Sequence, residues 1–235
     1  MDNIIVKDSF WNIFPEAQIN VLIVKDVNNT LKDAEVYENM LNVAKNNALK
    51  YLPEDNFSDN VIIQQWRNDY TKFKKKKGAR SSIEALLKRV AQGKGVGSIN
   101  PLVDIYNSIS MSYGVPVGGE DMDTIVGDLT LGVAEGGEAF YPLGDDNNEP
   151  ALSGEVIYAD DKGAVCRCLN WRDGQRTMLT EDTHDAVLFI ESTRPETHEQ
   201  ANNAIRALQT AIKDNLQVES MRYQLSKNDS AIKLL

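Results

Sequence analysis

Two hydrophobic periods alternate along the first part of the chain. Residues 3–8 and 19–27 are rich in β-branched side chains and read as strands, with Phe14-Pro15 and Asn28-Asn29 as turns. Apolar positions then recur every three or four residues. Met40, Val43 and Ala44 predict a helix over 36–51, and Ile62, Trp66 and Tyr70 one over 61–73. Two further helices carry their own start signals. Ser81 with Glu84 is a capping box, in which each side chain satisfies an orphan N–H at the helix start, and Ile83, Leu86, Leu87 and Val90 follow on one face up to about Gly93. Asn100 suits an N-cap and Pro101 the first helical position. Leu102, Ile105, Tyr106, Ile109 and Tyr113 then keep helical spacing until Gly114.

Beyond a tight, glycine-paired turn at Gly118-Gly119 the pattern switches to short strands at 129–133, 155–158, 164–169, 178–179 and 186–191. Asp160-Asp161-Lys162-Gly163 reads as a hairpin connection. The run Ala186-Val187-Leu188-Phe189-Ile190 is continuously apolar, as a strand covered on both faces would be. Pro195 opens a last helix with Ala201, Ala204, Ile205, Leu208 and Ile212 in one stripe, and 218–225 reads as a closing strand. Helices grouped before a run of short strands indicate an α+β fold, not a parallel βαβ sheet. A single domain is expected, with an N-terminal β and helical section at 1–77, a core at 78–215 and a C-terminal extension at 216–235.

Composition adds little to this until charge is mapped. With 42% hydrophobic and 26% charged residues the chain resembles an ordinary globular protein. No apolar run approaches the ~20 residues of a membrane span, and the first residues lack signal-peptide order, so a cytoplasmic location without a membrane partner is expected. The net charge of −10 argues against a general nucleic-acid binder, and no DNA partner is expected. Yet Arg67 to Lys94 holds ten basic residues against two acidic ones. That window carries +8 and leaves −18 for the rest. Lys74, Lys75, Lys76, Lys77 and Arg80 form its densest part. They suit either a phosphate backbone or a solvated helix end, where cations complement the dipole.

Several familiar sites are excluded. Gly93-Lys94-Gly95 lacks the Ser or Thr and the preceding strand of a phosphate loop. Cys166 and Cys168 would share one strand face, with no second pair to complete a zinc site. His184 and His198 have no second metal ligand or serine elbow near them in sequence, His198 reads as exposed, and 145–149 lacks calcium-loop spacing. No metal and no cofactor are expected. What remains is Gly118-Gly119, which permits close backbone approach to a ligand or simply makes a turn; Asp104 with Asn107, three apart on a helix; and Asn170-Trp171-Arg172, suited to stacking on a base or to capping the core.

The block Ile99-Asn100-Pro101-Leu102-Val103-Asp104-Ile105-Tyr106-Asn107, with Gly114-Val115-Pro116-Val117 and Asp121, resembles the tRNA-binding editing domain of the phenylalanyl-tRNA synthetase beta chain. Phe140-Tyr141-Pro142-Leu143-Gly144 and Thr180-Glu181-Asp182-Thr183 extend the match over about 78–215, and Asn170-Trp171-Arg172 is similar to the stand-alone versions of the domain. The resemblance implies a β-sandwich-like core of unusual topology with helices packed outside. It also implies a pocket that hydrolyses a wrongly attached amino acid, typically tyrosine, by positioning more than by a strong base. Carried over by motif, the substrate pocket comprises Tyr106, Asn107, Gly118, Gly119, Asn170, Trp171 and Glu191, with no catalytic residue assigned. The family usually has a histidine where this chain has Gly118, a departure that bears on tyrosine specificity and on catalysis. No aminoacylation machinery is recognisable, so a complete ligase is not expected. The reading is an aminoacyl-tRNA deacylase acting in trans. The alternatives are a non-catalytic RNA or amino-acid binding module and an interaction scaffold.

Overall fold

The computed structural model describes residues 1–234, which form two β-sheets facing each other with helices outside. The first sheet has six strands in the order β10 (Ala231–Lys233), β1 (Asn3–Val6), β4 (Leu129–Val133), β5 (Val156–Asp160), β6 (Gly163–Arg167) and β7 (Arg172–Asp173). The second orders β3 (Gly118–Asp121), β8 (Ala186–Ser192), β2 (Gln18–Val24) and β9 (Ser220–Leu225). Every pairing is antiparallel except β1 with β4.

The helices are α1 (Asp8–Ile13), α2 (Ala34–Ala48), α3 (Val61–Asp69), α4 (Ser82–Ala91), α5 (Pro101–Tyr113) and α6 (His198–Leu216). One core joins the facing sheets, with Ile4, Leu131 and Val165 from the first and Val21, Val187 and Phe189 from the second. Tyr158 of β5 and Phe189 of β8 meet across it with ring centroids 4.9 Å apart. A second core covers the other face of the second sheet, where Leu22, Leu188 and Ile190 pack under Leu102 and Ile105 of α5 and the Ala204, Ile205 and Leu208 stripe of α6. Strand β8 is therefore buried on both faces, which explains its unbroken apolar run.

The cap signals act much as written. Asn100 Oδ1 accepts from Val103 N at 3.1 Å, Pro101 opens α5, and Gly114 closes it at φ +63°. Ser81 Oγ accepts from Glu84 N at 3.3 Å, but only half of the capping box forms, because Glu84 is engaged by Arg67 at 2.7 Å. Other expectations shift. The first strand stops at Val6, and the chain turns into α1 so that Phe10 and Trp11 are buried, with Trp11 Nε1 donating to Val6 O at 3.2 Å. Gly118-Gly119, read as a turn, is strand β3 paired with β8. Residues 178–179 form no strand but follow a 3₁₀ turn at Gln175–Thr177. Helix α3 ends at Asp69, so the lysines that follow lie beyond its last turn and are not its solvated end.

Candidate functional site

A cavity of about 40 Å³ opens between the sheets where β3 and β8 face β5, β6 and β7. Its position follows from strand alternation. Val187, Phe189 and Glu191 occupy the inter-sheet face of β8, while Ala186, Leu188 and Ile190 face the helices. Gly118 pairs with Phe189 and Glu120 with Val187, so Glu120 also faces the space between the sheets. Of the residues expected from sequence, Gly118, Gly119, Asn170, Trp171 and Glu191 all line this cavity. Tyr106 and Asn107 sit half-buried on α5 and are not among its lining residues. Tyr106 remains within the electrostatic reach of the cavity. Burial raises its phenol, and the carboxylates of Asp173 and Glu120 add to the effect.

The polar wall is a connected network. Tyr158 Oη donates to Glu191 Oε1 at 2.8 Å, and Asn170 Nδ2 donates to Glu191 Oε2 at 3.0 Å. The Tyr70 hydroxyl lies 2.7 Å from Cys168 O and 3.0 Å from Asn170 Oδ1, which fixes the amide that faces Glu191. Burial lifts the Glu191 carboxyl to about 7, against the two hydrogen bonds that favour its ionised form. Burial likewise raises Glu120, with the Asp173 charge adding to it, and raises Asp173, opposed by the Cys166 thiol. Glu120, Asp173, Tyr158 and Cys166 line the cavity without having been expected from sequence. The available signal was spacing, since Glu120 lies two residues from Gly118 and shares its face once β3 is a strand.

The two glycines differ. A Cβ at Gly119 would lie 2.3 Å from Leu188 Cδ2 and 3.1 Å from Leu179 Cδ1, so the α5–α6 side admits no side chain there. A Cβ at Gly118 would meet nothing within 4 Å. Trp171 does double service: it lines the cavity and packs against the main core.

The basic segment adjoins this wall. Its lower end is tied by the Tyr70 contact to Cys168 and Asn170, and its upper end by Ser82 N donating to Asn170 O at 3.1 Å. Lys74, Lys75 and Lys77 are exposed and Arg80 is half-buried. None of these four has a carboxylate partner among the described residues, whereas Lys76 is paired with Glu149. Lys75 Nζ sits 5.8 Å from the Tyr70 ring centroid.

Other candidates resolve structurally. Asp104 is buried and accepts from Ser98 Oγ and from Ile99 N at 2.9 Å, closing the loop before α5. Asp121 accepts from Thr183 Oγ1 at 2.7 Å, which ties the end of β3 to the 180–183 turn. Cys168 does not share a strand face with Cys166: it lies past β6 at φ +49°, and both thiols are buried and free. His198 is half-buried, not exposed, and its Nδ1 lies 2.8 Å from Ser192 Oγ; that buried hydroxyl is also 2.7 Å from Thr197 Oγ1. Among the described residues no group of three acidic, His or Cys side chains could hold a metal ion. A larger groove of about 390 Å³ between α3, the end of α5 and the start of α6 is lined by Trp66 and Arg194, and Glu191 is the single expected pocket residue that reaches it. The smaller cavity gathers the other four as well, and is the candidate site.

Comparison with known proteins identifies the family and the fold. The chain is similar to the phenylalanine–tRNA ligase beta subunit of Psychrobacter arcticus, 38% identical over 97 residues, which cover 40% of this chain and 12% of that protein. It is also similar to the same subunit of Nocardia farcinica, 29% identical over 153 residues, covering 63% and 18%. The chain thus spans less than a fifth of the length of these curated relatives. Among solved structures, an N-terminal fragment of the phenylalanyl-tRNA synthetase beta subunit from Pyrococcus horikoshii shares the fold, with a TM-score of 0.52 at 12% identity over 95% of this chain and 54% of that one. The B3/4 domain model matches residues 65–220, which include both the basic segment and every wall of the cavity. The chain belongs to the B3/4 domain family.

Proposed function

We propose that this protein is a free-standing editing-type module that hydrolyses the ester of a mischarged aminoacyl-tRNA in trans. The 74–80 segment would track tRNA phosphates and the aminoacyl end would enter the cavity between the sheets. The observation that carries the reading is the physical junction of the two, because the exposed basic segment ends on the Asn170 wall through the Ser82–Asn170 bond. Water adds to the ester carbonyl, the acyl–oxygen bond breaks, and the free amino acid and the ribose hydroxyl leave. Glu191, with a carboxyl near neutrality in its titration, is suited to exchange a proton or hydrogen bond with the amino acid, while Asn170 and Tyr158 hold it in place. Rejection of analogues would come from polar groups left unpaired. The sections 1–77, 78–215 and 216–235 act as one unit in this reading, with strands β1, β2, β9 and β10 closing the two sheets around the core. No helix among the described residues is long and apolar enough to cross a membrane, and a cytoplasmic location accords with a tRNA partner.

Purified protein assayed against a panel of mischarged tRNAs should deacylate at least one above the no-enzyme rate, and Asn170→Ala should lower that rate. No turnover on any member, with wild type and variant alike, sinks the hydrolase. One feature favours a second reading, a binding module without catalysis: Gly118 offers no side chain where the family has a histidine. Saturable binding of tRNA or of a free amino acid without turnover would select it.

A further inference from the structure

The cavity between the sheets is more acidic than ester recognition requires. Glu120, Asp173 and Glu191 place three carboxyl groups around about 40 Å³. Glu191 has two hydrogen-bond donors, whereas Glu120 has only the neighbouring Thr177 hydroxyl. Glu120 is only 3% exposed, and its Oε2 has no hydrogen-bond partner among the described residues. Folded proteins leave few such atoms unsatisfied, so a buried carboxyl oxygen without a partner on the cavity wall points to a missing polar group. Nothing obstructs the approach from Gly118, where a Cβ would meet no atom within 4 Å.

We propose that this cavity is a binding site for a protonated primary amine, held by Glu120 with Asp173 and Glu191, so that the module selects an aminoacyl group by its ammonium. The inference deepens the proposed function, and rests on it only for the tRNA to which the amino acid is attached. Size and chemistry converge on this ligand. The space is small, about 40 Å³, and suits a compact ammonium. An ammonium brings three donors and no acceptor, which matches a wall of three carboxyl groups with an unpartnered Glu120 oxygen. A guanidinium is larger and planar, and among the described residues no cluster converges tightly enough for a metal ion. Burial and the Asp173 charge disfavour the charged form of Glu120 despite the Thr177 hydroxyl and the Arg176 guanidinium, burial disfavours that of Asp173, and a cation bound between them would relieve both.

Two amines of an amino acid could fill the site, the α-amine or one on the side chain. Calorimetric titration of the full chain with four amides separates them and needs no RNA. Nα-acetyl-lysine amide carries only a side-chain ammonium, norleucine amide only an α-ammonium, Nα-acetyl-norleucine amide neither, and Nα-acetyl-6-hydroxynorleucine amide a neutral hydroxyl. At least one of the first two should bind about tenfold or more tighter than Nα-acetyl-norleucine amide, as expected for hydrogen bonds to a charged group. Whichever does so names the amine. Equal binding of all four overturns the site, as does the hydroxyl compound matching the better amine. Glu120→Gln should abolish the preference, and its retention also overturns the proposal. Should that variant fail to fold, Asp173→Asn gives the same reading, and the wild-type comparison stands without any variant. Amine binding without deacylation would sink only the hydrolase, and deacylation without amine preference only this site.

Discussion

Replacing Glu191 with Gln tests the electrostatics of the candidate site directly. The carboxyl is 3% exposed and accepts from Tyr158 and Asn170, yet burial lifts it to about 7 from an ordinary 4.5. The sign is the reverse of a salt-bridged acid. Below about pH 4.5 both folded and unfolded chains hold the proton, and the group contributes nothing to the pH dependence. Between about 4.5 and 7 the unfolded chain loses the proton while the folded chain keeps it, so stability falls as pH rises. Above 7 both are ionised and the full penalty applies. A difference of about 2.5 pH units at about 1.4 kcal/mol each makes the full penalty roughly 3–4 kcal/mol. Gln cannot ionise, so Glu191→Gln should gain about 3 kcal/mol relative to wild type between pH 4.5 and 8, whatever constant offset the amide itself introduces. Urea unfolding of both proteins at half-unit pH intervals gives the difference curve, from which the titrations of Glu120 and Asp173 largely cancel. A flat difference curve from pH 4.5 to 8 would refute the reasoning, as would a change of opposite sign.

Other outcomes follow from neighbouring features. Arg167 and Glu155 form a fully buried bidentate pair at 2.6 and 2.8 Å, so Glu155→Gln, which strands the guanidinium charge, should cost about 3–5 kcal/mol in urea unfolding; a loss below 1 kcal/mol would contradict the pair's burial. Gly119→Val should lower the melting temperature measurably because its side chain meets Leu188 and Leu179, while Gly118→Ala should leave it within about 2 °C; equal effects would show that β3 does not face as described. Neutralising Lys74, Lys75 and Lys77 together should weaken tRNA binding at low salt and flatten the slope of log K against log salt by roughly 0.7–0.9 per lost phosphate contact. Lys76→Gln alone should change that slope less, since Glu149 already holds its ammonium, and a larger effect than the triple change would refute the assignment.

Local rules made much of this architecture legible. Asn100-Pro101 and Gly114 bound α5, Ser81 starts α4, the stripe from Ala201 to Ile212 gives α6, and the apolar run at 186–190 announces a strand covered on both faces, because caps, turns and periodicity act within a few residues of chain. The family block likewise pointed to Asn170, Trp171 and Glu191, which meet at one cavity. Tertiary structure decided the rest. Whether Gly118-Gly119-Glu120-Asp121 is a turn or a strand has no local answer, since two glycines and two acids carry no apolar alternation; pairing with β8 across some seventy residues makes it β3. The parallel contact of β1 with β4 and the closure by β10 are likewise set by distant chain. Above all, a glutamate in such a segment is ordinarily solvated. Only the stacking of one sheet on the other buries Glu120 beside Asp173 and Glu191, because the environment of a side chain depends on which faces meet in space, and no short stretch of sequence specifies that.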